Sequence, residues 1–356
     1  MRVFRGIRHA ARSARVAAPH LAPHQAPRTA VTIGTFDGVH RGHQAMLALL
    51  ASDAAQHRLV PTVVTFEPHP RDWFAGRGAA AAPRRISTLR DKLSELARCG
   101  VAQAVVLRFD ERLAALSPEA FVDEVLVDGL NAGRVLVGDD FRFGARRAGD
   151  HARLEALGAE RGFDVARMTS YEVRGERVSS SALRAALAAG DMAGAQALLG
   201  RPYAISGHVL HGNRLGRSLG ESRPGAGDGL RTLNLRFPHR RPAAGGIFTA
   251  RVHGLADAPL DAVASLGTRP TVDDSGRVLL ETHVLDWPRA LGPEGGYGRL
   301  VRVDLLAKLR DEARYDSLAE LADAIAGDVA AARAWFAPTG LATLSARETT
   351  RDRIRP

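Results

Sequence analysis

Residues Thr32 to Leu47 read TIGTFDGVHRGHQAML: a β-branched segment, glycines at 34, 38 and 42, histidines at 40 and 43, then an apolar-periodic stretch. A strand, a glycine loop and a helix in that order present free backbone N–H groups and the positive end of a helix dipole, which together make an anion site. Phosphate is the natural guest. His40 and His43, spaced i and i+3, are expected on one side of the first helical turn. Imidazoles, with an ordinary pKa of about 6.5, donate hydrogen bonds to phosphoryl oxygens and, when protonated, offset charge that develops as a phosphate is attacked. Gly34, Gly38 and Gly42 let the backbone approach a nucleotide with no Cβ in the way. A lone histidine at such a junction is by default a surface cap; an HxGH pair at a strand-to-helix turn favours chemistry.

The other common phosphate scaffold is excluded. A P-loop needs GxxxxGK[ST] with its lysine after the glycines. Among 49 basic residues only Lys92 ("RDKLS") and Lys308 ("LAKLR") are lysines, and neither follows a glycine loop. The arginine bias itself reads as the mark of a GC-rich genome.

The elements that must position these residues follow from hydrophobic period. From residue 28 to about 170, "AVTIG", "PTVVTF", "AVVLRF", "RVLVG" and "FDVARM" alternate with helical patterns near 43–57, 88–99, 117–129 and 150–162. Strands that run almost wholly apolar between helices predict a parallel sheet covered on both faces, with ligands at the strands' carboxyl ends. Residues 181–200 read as two short helices broken at Gly190-Asp191. From 202 to 307 short alternating segments punctuated by Gly and Pro predict an antiparallel barrel or sandwich, and "SLAELADAIAGDVAAARAWF" an amphipathic closing helix. Residues 337–356 lack periodicity and are expected to be a mobile tail.

A length of 356 residues asks for two cores. The net charge of +10 is concentrated in an arm, residues 1–29, with six arginines and no acid, and no aromatic-interleaved basic patch supports a nucleic-acid partner. Cys99 is the single cysteine, which excludes an intrachain disulfide. No apolar run suggests a signal peptide or a membrane span, and the Gly212, Gly216, Gly220 spacing lies among polar residues, so the expected location is cytoplasmic, with no membrane partner. Nothing in the pattern fixes an oligomeric state.

The string "GTFDGVHRGH" resembles the HxGH nucleotidylyltransferases, and specifically the bacterial bifunctional riboflavin kinase/FAD synthetases, over nearly the whole chain from "MRVFRG" to about Phe336. "TFEPHP" (Thr65 to Pro70), "VGDDFRFG" (Val137 to Gly144) and "VSSSALRAALAAGD" (Val178 to Asp191) resemble, in order and approximate spacing, motifs that line the adenylyltransferase site of that family. The resemblance implies a Rossmann-like α/β nucleotidylyltransferase domain over 1–185, a helical linker over 186–201, an antiparallel β-barrel riboflavin kinase domain with a C-terminal helix over 202–336, and the tail 337–356. It implies that His40 and His43 contact ATP phosphates. Gly34, Phe36, Asp37 and Gly38 would surround the nucleotide, Ser180, Ser181 and Arg184 would form a second phosphate signature, and Asp140 and Phe141 would place the flavin.

The second half resembles the kinase module from "GHVLHGNRLGRSLG" onward, which places Gly216 in the nucleotide loop. In the family a PTxN motif then holds Mg²⁺ and phosphates. Here Glu221 to Asp228 ("ESRPGAGD") interrupt the run and Arg231 stands where proline is expected, while Thr232 and Asn234 remain. "LLETHVLDW" supplies Glu281, which resembles the family's catalytic base, and Leu309 to Leu321 resembles its flavin-side loop and closing helix. The implied substrates are riboflavin, FMN and ATP, the products FMN and FAD, the metal Mg²⁺. The interruption keeps a second reading open, an FAD synthetase with an inactive or regulatory flavin-binding kinase module.

Overall fold

The computed structural model describes residues 1–11, 28–78, 81–169, 171–173, 175–211, 232–239, 241–268, 278–292 and 294–337. They form two compact units: Met1–Pro83 with Asp91–Ser180, and Arg84–Arg90 with the chain from Ser181 onward.

The first unit is built on six parallel strands, β1 (Arg2–Arg5), β2 (Thr29–Ile33), β3 (Val60–Glu67), β4 (Gln103–Arg108), β5 (Ala132–Gly138) and β6 (Asp164–Met168), in the order β1-β4-β3-β2-β5-β6. All five β-branched runs are strands of this sheet. β1 lies within the basic arm, residues 1–29, and its residues pair with Gln103 to Val106 at the sheet edge. Of its four residues only Phe4 is buried, too short a pattern to distinguish a strand from an arm.

Every residue of β2 is buried, as a sheet covered on both faces requires. Val31, Ile33, Val64, Val105, Val135 and Val137 point to one core, shared with Phe121 and Leu126, Leu154 and Leu157. Ala30, Val63 and Leu136 point to the other, shared with Leu47, Leu50, Ala54 and Leu96. The helices supplying these residues are α1 (Arg41–Gln56) and α3 (Leu89–Arg98) on the second face, and α5 (Pro118–Phe121) with a π-helical continuation Val122–Val127 and α6 (His151–Arg161) on the first. Two short helices went unforeseen, α2 (Pro70–Ala75) and α4 (Glu111–Ala115), each little more than a capped turn. From β2 the chain builds outward to β3 and β4, and then returns to lay β5 and β6 on β2's other side. The order therefore reverses between β2 and β5, which makes their carboxyl ends the switch point at which such sheets hold a ligand crevice.

α7 (Ser180–Ala189) and α8 (Met192–Leu199) meet at Gly190, whose φ of +76° ends the first helix in the left-handed region. Leu183, Leu187, Met192, Ala195 and Leu199 enter the core of the second unit. That unit is an antiparallel sheet of β9 (Tyr203–His208), β10 (Thr232–Phe237), β11 (Gly246–His253), β12 (Leu260–Thr268), β13 (Val278–Val284) and β14 (Leu300–Arg310), in the order β10-β13-β12-β11-β14-β9. Just past β9, the Leu210 N–H donates to the Asn234 carbonyl at 2.8 Å, bringing the two edges together. Of the two forms the alternation allowed, the sheet takes the barrel. α9 (Leu318–Phe336) lies on its outside, where Ala332 packs with Ile247, Val263 and Leu285, and Asp328 accepts a forked pair from Arg310 at 2.8 and 2.6 Å. A two-stranded hairpin, β7 (Glu172–Val173) and β8 (Glu176–Arg177), precedes α7. Among the described residues no helix is long and apolar enough to cross a membrane.

Thr282 is the exception within the barrel wall. Its side chain is wholly buried between Leu233 and Ala264 of the flanking strands, and its hydroxyl has no hydrogen-bond partner among the described residues. Valine has the same shape without the polar atom. Thr282→Val is expected to stabilise the second unit by about 1 kcal/mol, read as a higher urea midpoint at unchanged slope; a lower midpoint would show that the hydroxyl is satisfied.

Candidate active sites

The first site begins where β2 ends. The Gly34 N–H donates to the Val64 carbonyl at 3.0 Å, and a Cβ at Gly34 would stand 3.0 Å from the Phe36 ring. Phe36, Gly38 and Val39 then take φ of 49°, 93° and 43°. Glycine occupies this region freely, whereas a side-chain-bearing residue does so at a cost of about 1–3 kcal/mol. Packing and hydrogen bonds hold the turn: Phe36 and Val39 are buried in the α1-side core, Gln44 Nε2 donates to the Val39 carbonyl at 2.9 Å, and Thr65 Oγ1 donates to the Thr35 carbonyl at 3.2 Å. Asp37 is wholly buried, and its carbonyl accepts from Ser180 Oγ at 3.1 Å. Two stretches 143 residues apart are joined in that bond.

His40 is the N-cap of α1 rather than a residue within its first turn. Its Nδ1 accepts the His43 N–H at 3.3 Å, which places the ring proton on Nε2. The two imidazoles stack with centroids 3.7 Å apart and planes at 14°, while the Phe36 ring lies 4.9 Å from that of His43. Gly42 makes the stacking possible: a Cβ there would lie 3.3 Å from the His40 ring and 3.4 Å from the Val178 carbonyl.

Asp140 and Phe141 follow β5, on the other flank of the crevice. Asp140 Oδ2 pairs with Arg177 at 3.1 Å, and Phe141 stacks on Phe143 at 5.5 Å. The loops after β2 and β5 thus both lie at the switch point. Ser181 and Arg184 continue α7 within the second unit, where Arg184 Nε donates to the Arg84 carbonyl at 2.7 Å.

The second site is a matter of register. Asn234 of β10 lies directly opposite Glu281 of β13, and Thr232 opposite His283. Leu233, Leu235 and Leu280 fill the barrel interior, so the alternation turns Thr232, Asn234, Glu281 and His283 to its other face. Side chains directly opposed in an antiparallel pair stand about 5 Å apart, which puts hydroxyl, amide and carboxylate within reach of one ligand. On its other side Glu281 faces Ser265 of β12, whose hydroxyl donates to Glu312 Oε1 at 3.5 Å. A Cβ on Gly267 would collide with the Glu312 carboxylate. Partial desolvation there holds the Glu312 carboxyl above its ordinary range, offset in part by the Ser265 hydroxyl and Arg310. Sequence reading did not single out Ser265, because cross-strand register leaves no mark in the linear chain, whereas Glu312 lies within the segment Leu309 to Leu321 that resembled the flavin-side loop. Gly216, the interruption Glu221 to Asp228 and Arg231 lie outside the described residues.

Comparison with known proteins gives the two halves separate descriptions. Residues 22–182 match the family described as FAD synthetase, and residues 199–336 the family described as riboflavin kinase. The bifunctional riboflavin kinase/FMN adenylyltransferase of Escherichia coli (strain K12) is 43% identical over 87% of this chain and 93% of its own length. Its counterpart in Pseudomonas fluorescens is 42% identical over 86% and 93%. A crystal structure described as a macrolide-efflux protein from Streptococcus pneumoniae superposes with a TM-score of 0.66 at 26% identity, covering 87% of this chain and 95% of that one. On the two family matches and the identity that runs through both of them, the chain belongs to the bifunctional riboflavin kinase/FMN adenylyltransferases, with the FAD synthetase domain ahead of the kinase domain.

Proposed function

We propose a division of labour in which the crevice at β2 and β5 adenylylates FMN, and the outer wall of the barrel at β10 and β13 makes it. The enzyme phosphorylates riboflavin with ATP to give FMN, and then transfers AMP from a second ATP to FMN, giving FAD and pyrophosphate. The observation that carries the division is the pairing of Asn234 with Glu281, because it joins the two kinase motifs into one site far in sequence from the histidine pair.

In the adenylyl transfer an oxygen of the FMN phosphate attacks the α-phosphorus of ATP and pyrophosphate leaves, with no covalent enzyme intermediate. His40 Nε2–H and His43 stabilise charge on the phosphoryl oxygens, and the turn Gly34, Phe36, Asp37, Gly38 seats the nucleotide. Ser180, Ser181 and Arg184 form the second phosphate contact, and Asp140 and Phe141 place the flavin. In the kinase reaction Glu281 accepts the proton of the riboflavin 5′-hydroxyl as that oxygen attacks the γ-phosphorus and ADP leaves. Gly216 belongs to the kinase nucleotide loop.

Thr232 and Asn234 would hold Mg²⁺. Their oxygens suit a hard cation that binds few protein atoms and keeps water and phosphate ligands, and no group of three or more His, Cys, Asp or Glu among the described residues competes for the role. Held there, Mg²⁺ would supply positive charge beside the transferring phosphate. The setting for this chemistry is the cytoplasm, where riboflavin and ATP meet. The silent-kinase reading finds no support, since the relatives that match across both halves are named for both activities.

Purified protein incubated with riboflavin, ATP and Mg²⁺, with flavins separated afterwards, tests the whole scheme; absence of FMN and FAD would end it. His43→Ala is expected to lower FAD formation by about 10²–10³-fold while FMN formation stays within about twofold. Equal loss of both products from folded protein would break the division of sites. Glu281→Gln and Thr232→Ala are expected to lower FMN formation by about 10²-fold or more, and to leave FAD formation from supplied FMN intact. Full kinase turnover in both would remove the barrel-wall site. Gly42→Ala should keep or raise the melting temperature, alanine being the better helix former, yet depress FAD formation about tenfold by pushing the His40 ring off His43; unaltered turnover would show that the stacking is dispensable.

A further inference from the structure

The loop that joins β5 to α6 narrows to a tip at Arg146 and Arg147. Its base is closed by a reciprocal pair of backbone bonds, from the Phe143 N–H to the Gly149 carbonyl at 3.0 Å and from the Gly149 N–H to the Phe143 carbonyl at 2.9 Å. The Phe143 ring fills the space that a Cβ on Gly149 would need, and a Cβ on Gly144 would stand 2.7 Å from the backbone nitrogen of Pro118. The Ala145 N–H donates to the Leu116 carbonyl at 2.7 Å. The loop is thus pinned to the chain that leaves β4, and it stands on the carboxyl rim of the sheet. Beyond this base the Ala148 N–H donates to the Ala145 carbonyl at 3.2 Å, and the two residues between them, Arg146 and Arg147, have φ of 54° and 58°. Positive φ at both central residues of a tight turn is the arrangement that Asn-Gly or Gly-Gly suits. Here both are arginine.

Other side-chain-bearing residues at positive φ have a local reason for it. Phe36 and Val39 are held by burial, and Arg58 and Asn131 follow the ends of helical segments. Arg146 and Arg147 are exposed, and neither guanidinium has a hydrogen bond or ion pair among the described residues. The arginines of neighbouring α6 differ: Arg153 pairs with Glu119 and Arg161 with Asp123. The acids that flank the tip are engaged elsewhere, Asp139 and Asp140 with Arg177, and Asp150 with the Arg153 N–H as the cap of α6. Arg142 adds a third exposed cation, bonded to the Phe141 carbonyl at 3.1 Å. A turn that breaks its own residue preference twice, with no packing or ion pair in return, is the kind of local conflict that functional sites retain.

We propose that Arg146 and Arg147 form an anion subsite of the adenylyl-transfer site and take a phosphate from one of its two substrates. Guanidinium forks match phosphate oxygens, and a pair with no acid beside it keeps its whole field for the ligand. FMN carries a phosphate monoester and ATP a triphosphate, so each brings the required chemistry to the rim. Because the base of the loop is already fixed, binding there orders side chains and leaves the backbone as it is.

The inference rests on the reading of the β2–β5 switch point as the adenylyl-transfer site, so His43→Ala is carried as a control. In the full-length enzyme, Arg146→Asn/Arg147→Gly, Arg146→Gln/Arg147→Gln and Arg146→Lys/Arg147→Lys are assayed for FAD formation, riboflavin kinase turnover and melting temperature. The Asn/Gly variant is expected to raise the KM for FMN or for ATP about tenfold or more, with kcat within about threefold and a melting temperature unchanged or higher, since its residues suit the turn. The substrate with the larger rise identifies the phosphate that is held. The Gln/Gln variant, which removes the charge and keeps the strain, should match it, and the Lys/Lys variant should lose less. The wild-type KM for that substrate should climb with added KCl more steeply than that of either uncharged variant. Kinase turnover should be unaltered throughout. KM values for both substrates within about twofold of wild type at low salt, or a loss that only tracks unfolded protein, overturn the proposal; if the Asn/Gly variant fails to fold, the Gln/Gln variant decides alone. If His43→Ala keeps FAD formation, the reading of the switch point falls and the subsite falls with it, whereas normal KM values beside an impaired His43→Ala reject the subsite alone.

Discussion

A turn that places Phe36, Gly38 and Val39 in the left-handed region has a backbone bond of its own, from the Val39 N–H to the Phe36 carbonyl at 3.3 Å, which does not offset the strain of two side-chain-bearing residues there. Its conformation is imposed from outside, by the apolar seats of Phe36 and Val39, by the Thr65 hydroxyl beneath it and by the Ser180 hydroxyl on the Asp37 carbonyl. The rest of the first site follows from that constraint. Because the turn ends with His40 in an extended conformation, its imidazole can cap α1, and because it caps α1 through Nδ1 its ring lies flat on His43. Strain stored in the backbone thus sets the geometry of two side chains, and the switch point between β2 and β5 supplies the room beside them.

The barrel solves the corresponding problem with little strain. Alternation along β13 sends Val278, Leu280, Thr282 and Val284 inward and leaves Glu281 and His283 on the other face, while antiparallel register brings Asn234 and Ser265 to either side of Glu281. A one-residue slip of β10 would carry Asn234 into the interior and Leu233 to the other face, so the apolar core enforces the register that sets Asn234 opposite Glu281. Thr282 marks the limit of that order, a polar atom on the wrong side of a strand whose two polar neighbours face outward.

What the sequence made legible was whatever has a short period or a strong local signal. Five β-branched runs became the parallel sheet, Gly190 became the break between α7 and α8, and the HxGH spacing located the strained turn. The edge strand β1 was invisible because one buried phenylalanine makes no pattern, and the choice of barrel over sandwich was invisible because closure through Leu210 and Asn234 is a long-range event. Lys92 was noticed and set aside as the wrong lysine for a P-loop. Its burial was signalled only by its place one turn before Leu96, a weak cue that composition made weaker by presenting it as a leftover of codon bias. Ser265 needed the register that only folding supplies.

Sequence order and physical units also part company at Arg84–Arg90. This segment lies inside the stretch that matches the FAD synthetase family, yet it packs with the barrel: Ile86 is buried in the barrel core, its carbonyl accepts the Tyr203 hydroxyl at 2.9 Å, and Arg85 exchanges backbone hydrogen bonds with Arg241 and Ala243 at 2.7 and 2.8 Å. Leu183 and Leu187, from α7, complete the same core. Losing one such buried aliphatic side chain costs about 2–5 kcal/mol, against a typical domain stability of about 5–15 kcal/mol. A barrel begun after α7 would lack three of them together with the Tyr203 partner, a deficit of the same size as its whole stability. The core of the second unit is thus completed by Ile86, from within the stretch that matches the FAD synthetase family, and by two residues of α7, all of them ahead of the stretch that matches the riboflavin kinase family.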